Sequence, residues 1–194
     1  MKKVLNVGGN SKAIPLPPAY ADFEHLLLDI DPTGQPDIVC DARQLEGLAP
    51  EQFDAIYCSH NLEHFYHHDV AKVLTGFRHV LTPQGFAHIR VPDIGAVMKA
   101  CVEQGLDIED TLYVSAQGPI KVMDVIYGWG DQIERSGVEF FAHKTGFTEK
   151  SLGRALTMAG FTKIYCTSAN LEVNAWAFKD TPSEDIRSRF NLAA

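Results

Sequence analysis

Seven short β-type runs, alternating with segments of helical period, constrain this chain more than any other feature of its sequence. The runs are Lys3–Val7 (KVLNV), Leu26–Ile30 (LLLDI), Asp37–Cys40 (DIVC), Phe53–Cys58 (FDAIYC), Phe86–Val91 (FAHIRV), Phe161–Cys166 and Val173–Phe178. Their length and their Val, Ile, Leu and Phe content fit strands buried on both faces of a largely parallel sheet. Between them, Val70, Val73, Leu74, Phe77 and Leu81 recur at helical spacing and stop at Pro83 and Gly85. Ile94, Val97, Met98, Cys101 and Val102 form a second stripe behind Asp93, a plausible N-cap. Leu152, Ala155, Leu156 and Ala159 form a third, between Thr148 and Gly160. This alternation specifies a layered α/β domain.

Two stretches break the pattern. Pro15, Pro17 and Pro18 lie between the first two runs and forbid a continuous helix there, so the first crossover helix is shortened or missing. Residues 105–147 are rich in glycine and aromatic residues, including Tyr113, Tyr127, Trp129, Phe140 and Phe141. They read as an insertion, or lid, over one end of the sheet in a single domain spanning 1–194. A chain of 194 residues is within the ordinary range for one domain.

Charge and composition narrow the function classes. Seventeen Lys and Arg against 25 Asp and Glu leave a formal charge of −8, which disfavours a domain that grips phosphate backbones. No apolar stretch reaches the roughly 20 residues of a membrane span, and the opening MKKVLNVGGN is too short in apolar residues for a signal peptide. Cys40, Cys58, Cys101 and Cys166 are scattered, with no CxxC pair, and read as reduced thiols of a cytoplasmic protein. Neither nucleic acid nor membrane is therefore an expected partner, and the expected assembly is a monomer or homodimer.

In an open α/β sheet, ligands bind outside the carboxyl ends of the strands. The residues found there are Gly8, Gly9 and Asn10 after the first run, Asp29 and Asp31 at the second, and Asp41 and Ala42 after the third. Ser59, His60 and Asn61 follow the fourth, and Pro92 and Asp93 the fifth. Glycines admit a ligand close to the backbone. A carboxylate ending the second strand can accept both hydroxyl hydrogens of a ribose, and Asp41 can accept from an adenine amino group. The set points to a nucleoside-containing cofactor.

The stretches VLNVGG, LLLDIDP, DARQL, FDAIYCSHNLEH, VLTGFRHVLTPQGFAHIRVPD and GFTEKSLGRALTMAGF, in this order, resemble the class I S-adenosylmethionine-dependent methyltransferases, in their small-molecule branch. The resemblance implies a Rossmann-like, doubly wound, seven-stranded sheet of order 3-2-1-4-5-7-6 with its last strand antiparallel. It implies S-adenosylmethionine as cofactor, held by Asn6, Gly8, Gly9, Asp29, Asp41, Ala42 and Ser59, with His60 and His143 as candidate bases. It implies methyl transfer to an oxygen or nitrogen of a small-molecule or glycan-like acceptor. The first loop departs from the family pattern, since Asn6 replaces an acid and Asn10 and Lys12 replace glycines. This departure is what favours the alternative, a binding module on the same fold that has lost catalysis. An H-x-x-E-H pattern, His60-Asn61-Leu62-Glu63-His64, overlaps the fourth strand's end and matches inverted zinc peptidases. It follows a strand instead of lying in a long helix, so no metal is expected. A nicotinamide enzyme is disfavoured by the missing G-x-G-x-x-G opening.

Overall fold

A computed structural model describes residues 1–116 and 118–192. Strands β1 (Lys2–Val7), β2 (Phe23–Asp29), β3 (Ile38–Val39), β4 (Phe53–Ser59) and β5 (Leu81–Pro92) form a parallel half-sheet. A hairpin of β6 (Thr111–Ser115) and β7 (Gly118–Lys121) stands outside it. Strands β8 (Lys163–Ala169) and β9 (Glu172–Phe178) complete the main sheet in the order β3-β2-β1-β4-β5-β9-β8. With the hairpin set aside, this is the expected order 3-2-1-4-5-7-6, and β9 runs antiparallel to both neighbours.

Alternate residues along each central strand serve two separate cores, as the two-residue period of a strand dictates. Leu5, Ile56, Cys58, Ala87 and Ile89 face one layer, where Val70, Val73, Leu74, Phe77 and Val80 of helix α1 (His67–Val80) pack. Leu152 and Leu156 of α5 (Glu149–Met158) join that layer. Val4, Ala55, Tyr57 and Phe86 face the other. On that side no crossover helix follows β1. The proline loop makes only one 3₁₀ turn at Pro18–Tyr20, and Tyr20 tucks its ring against Phe86 and His88. The remaining cover comes from Ile186 and Phe190 at α6 (Glu184–Arg189).

Helix α2 (Ile94–Gln104) starts where expected, with the Asp93 carboxylate accepting from the Ala96 N–H at 3.1 Å. Thr148 caps α5 through the Ser151 N–H. The segment 105–147 carries the hairpin, α3 (Val122–Tyr127) and α4 (Gly130–Ser136), and rests on α2 through Val97, Val122 and Val125. Among the described residues, no helix is long and apolar enough to cross a membrane. The four cysteines are free thiols.

Candidate active site

A cleft of about 250 Å³ opens at the carboxyl ends of β1, β2 and β4, where the sheet order reverses. Gly8, Asp29, Asp41, Ala42 and His60 line it, five of the nine residues expected to hold the cofactor or act as bases, together with Asn10, Asp31 and Asn61 from the same strand ends. Gly8 adopts φ +72°, and its N–H donates to the Leu28 carbonyl at 2.8 Å, turning the chain sharply out of β1. A Cβ there would fall 2.0 Å from Asn61 Nδ2, so the close passage of these two loops needs glycine. Asp29 ends β2 and braces the same loop. Its Oδ2 accepts from the Asn10 N–H at 3.1 Å and its Oδ1 from the Asp31 N–H at 3.0 Å.

Asn6, Gly9 and Ser59 are not among the residues lining the cleft. Asn6 is 4% exposed, and its Nδ2 lies 3.3 Å from His25 Nε2. A Cβ on Gly9 would meet that same amide nitrogen at 2.1 Å. Asn6 therefore supports the loop from beneath. Lys12, which stands at one of the missing glycines, is held by Asp37 at 2.8 Å.

Asp41 caps the 3₁₀ segment Ala42–Gly47 by accepting from the Arg43 N–H, and it also receives the Arg43 guanidinium at 2.6 Å. Burial raises its carboxyl, but the hydrogen bonds from Arg43 outweigh this and hold it below the ordinary aspartate range. Arg43 reaches Asp69 as well, at 3.3 Å, tying the third strand's loop to the start of α1. Arg43, Phe65 and Tyr66 line the cleft without having been singled out, alongside Asn61 and the lid segment's Phe140, Phe141 and Lys144. The last three come from the end of the segment 105–147, whose backbone docks by the Lys144 and Thr145 N–H groups on the Glu63 carbonyl.

His60 sits at φ +50° immediately after β4, its N–H donating to the Arg90 carbonyl. Its ring lies between two carboxylates, Nε2 at 2.7 Å from Glu172 Oε1 and Nδ1 at 3.5 Å from Glu63 Oε1. Burial favours the neutral ring, yet the bonds to Glu172 and Glu63 prevail and raise it to about 9. About half of this side chain is exposed (53%), so water screens part of the pairing. Glu172 is in turn lowered to about 2 against its own burial, by His60 and by Arg90 at 2.7 Å. At neutral pH His60 thus carries its proton, which does not fit the neutral general base expected from its place after the fourth strand.

His143 is not in the cleft lining; it lies behind, beside Glu63 and His64. Burial keeps its ring neutral, lowering it below the ordinary histidine range. Its Nδ1 meets the Val125 carbonyl at 2.9 Å, and His64 Nδ1 meets the Ala142 carbonyl at 3.0 Å. Glu63 is 1% exposed, and neither of its carboxylate oxygens has a hydrogen-bond partner of good geometry. Glu63 and His64 were visible in the sequence only through the H-x-x-E-H match. His143, about eighty positions on, comes to them by the fold alone.

A family profile described as a methyltransferase domain matches residues 7–89, which carry most of the cleft lining. Among solved structures, the PH0226 protein of Pyrococcus horikoshii superposes with a TM-score of 0.59 at 16% identity, covering 91% of this chain and 82% of that one. A SAM-dependent methyltransferase from Archaeoglobus fulgidus gives 0.53 at 13% identity, covering 91% and 85%. The Burkholderia thailandensis 1,6-didemethyltoxoflavin-N1-methyltransferase, solved with S-adenosylhomocysteine, gives 0.51 at 16% identity, covering 92% and 72%. No curated protein sequence matches significantly. The strand order, the position of the cleft and these superpositions show that this chain shares the fold of S-adenosylmethionine-dependent methyltransferases, and residues 7–89 are similar to a methyltransferase domain.

Proposed function

We propose that this chain methylates an oxygen or nitrogen of a small-molecule or glycan-like acceptor, drawing the methyl group from S-adenosylmethionine bound in the cleft. The observation that carries the reading is Asp29. It stands at the end of β2, lines the cleft, and spends one hydrogen bond per carboxylate oxygen on the loop. A carboxylate has about four acceptor sites, so two remain for a ribose diol. The residues present fit the rest of the cofactor. Gly8 leaves the backbone open to it, Asp41 and Ala42 stand at the adenine side, and Phe65 and Tyr66 offer apolar walls.

When bound, the cofactor supplies a methyl group on a good leaving group. The protein's task is alignment and exclusion of water. In this reading Phe140, Phe141 and Lys144, at the end of the segment 105–147, close the acceptor side. His60, fixed by Glu172 and Glu63, serves as a hydrogen-bond donor that shapes the cleft. His64 and His143 face carbonyls with Nδ1, which leaves the lone pair of each ring on Nε2.

The alternative, a binding module without catalysis, is favoured by one observation. No helix follows β1, so no helix N-terminus faces the methionine end, and Lys12 is engaged by Asp37. Calorimetry with S-adenosylmethionine, followed by mass spectrometry of candidate hydroxyl and amine acceptors, separates the readings. Binding with formation of S-adenosylhomocysteine and a methylated acceptor supports the enzyme. Binding without turnover across the acceptors supports the module, and no binding refutes both.

A further inference from the structure

We propose that Glu63, His64 and His143 form a site for a divalent transition-metal ion, of the zinc type, at the margin of the cleft. The three side chains offer one ligand atom each, and these atoms all lie within 4.8 Å of one another. Two imidazoles and one carboxylate are a donor set that suits zinc and its neighbours in the first transition row, and suits magnesium or calcium poorly. The inference departs from the sequence reading, which expected no metal.

Three features distinguish this group from a chance cluster. First, Glu63 is 1% exposed and both its oxygens lack a hydrogen-bond partner, whereas the other buried carboxylates among the described residues are bonded, Asp69 to Lys72 and Arg43 and Asp93 to Ala96 and Ser168. A buried carboxylate without a partner is costly unless a cation or donor compensates it. His60 Nδ1, at 3.5 Å, compensates only in part, because the same ring gives its shorter bond to Glu172. Second, both histidines are held by Nδ1 to a backbone carbonyl, Ala142 for His64 and Val125 for His143. A carbonyl only accepts, so each Nδ1 carries the hydrogen and each Nε2 presents a lone pair. This is the outer-shell arrangement that fixes the tautomer and orientation of metal-bound histidines. Third, His143 Nε2 points towards Glu63 Oε1 at 4.0 Å, and the two imidazole rings lie 4.9 Å apart.

Zinc bonds of about 2.0–2.2 Å put tetrahedral ligand atoms about 3.3 Å apart. Closing the site therefore needs side-chain shifts on the order of an ångström. Three protein ligands leave one position for water, and His64 is itself part of the cleft wall. The proposal needs neither cofactor nor acceptor, so it stands or falls separately from methyl transfer.

The test is zinc binding to chelator-stripped protein by calorimetry, together with the visible spectrum of the cobalt(II)-loaded form. One saturable site per chain is expected, with cobalt bands of a low-coordinate centre. Glu63→Gln and His143→Ala should each weaken zinc binding by more than about tenfold, since even loss of an outer-shell partner costs 10–100-fold. The His67→Ala/His68→Ala double variant, which removes the neighbouring exposed histidines, should bind as the parent does. The absence of a saturable site overturns the proposal. So does unchanged affinity in Glu63→Gln, or loss of binding in the His67/His68 variant, which would mark a surface site. Glu63→Gln preserves side-chain shape and carries the test if His143→Ala does not fold.

Discussion

Replacing Asp29 by alanine should weaken cofactor binding roughly 10- to 150-fold while leaving the protein folded. The magnitude follows from what the carboxylate has left to give. Each oxygen already accepts one backbone N–H, from Asn10 at 3.1 Å and Asp31 at 3.0 Å, which leaves room for one ribose hydroxyl on each. Hydrogen bonds to a charged group contribute about 1.5–3 kcal/mol net, and each 1.4 kcal/mol is about tenfold in Kd. Alanine also releases Asn10, which sits at φ +58° and is held there by this bond, so part of the loss is the ordering of the Gly8–Asn10 loop. The measurement is calorimetry with S-adenosylhomocysteine, with circular dichroism melts to establish folding. Asp31→Asn is the control. Asp31 caps its own turn through the Thr33 N–H at 2.9 Å, so its replacement should move affinity much less. Unchanged affinity in a folded Asp29→Ala protein, or a larger loss in Asp31→Asn, would refute the assignment of the ribose to Asp29.

Two further outcomes concern stability and the loop. His88 is buried against Trp176 and Tyr20, and burial lowers it to about 4. Since an unfolded imidazole titrates near 6.5, His88 contributes stability that is present above that value and lost as pH falls towards 4. Denaturant unfolding should show a loss of about 2 kcal/mol between pH 7.5 and 5, and His88→Gln should flatten that slope. An equal slope in the variant would assign the pH dependence to other groups. Gly8→Ala should cost about 1–2 kcal/mol from its left-handed backbone and, by displacing Asn61, weaken cofactor binding as well. A melt and a binding isotherm both matching the parent would show that the loop accommodates the methyl group.

The periodic elements were legible because their pattern has a single physical reading. Val70 to Val80 pack on one layer as the i, i+3, i+4 stripe requires, and the Asp93 and Thr148 caps start their helices. The ends of the central strands were legible too, which is why Gly8, Asp29, Asp41, Ala42 and His60 are found in one cleft. The hairpin β6–β7 was not read, because much of it is exposed and its apolar residues, Leu112 and Ile120, only touch a satellite cluster. Asn6 was expected at the cofactor; in the structure its amide lies inside, against His25 and Gly9, a contact that no local pattern carries. The state of His60 depends on Glu172, 112 positions away, and no local pattern carries that pairing.

The missing helix after β1 also has a consequence for how the chain is made. In a fold where each strand is followed by its own crossover, a sheet face is sealed almost as soon as it emerges. Here the face bearing Val4, Ala55, Tyr57 and Phe86 waits for Ile186 and Phe190, and Arg189 then clasps Ala19 and Asp22 from about 170 positions downstream. Loop closure over such a span is slow, and apolar surface that stays open during synthesis is prone to association. The last turn of helix therefore determines when the nascent protein stops being sticky, and a ribosome that stalls before residue 186 leaves an aromatic face uncovered.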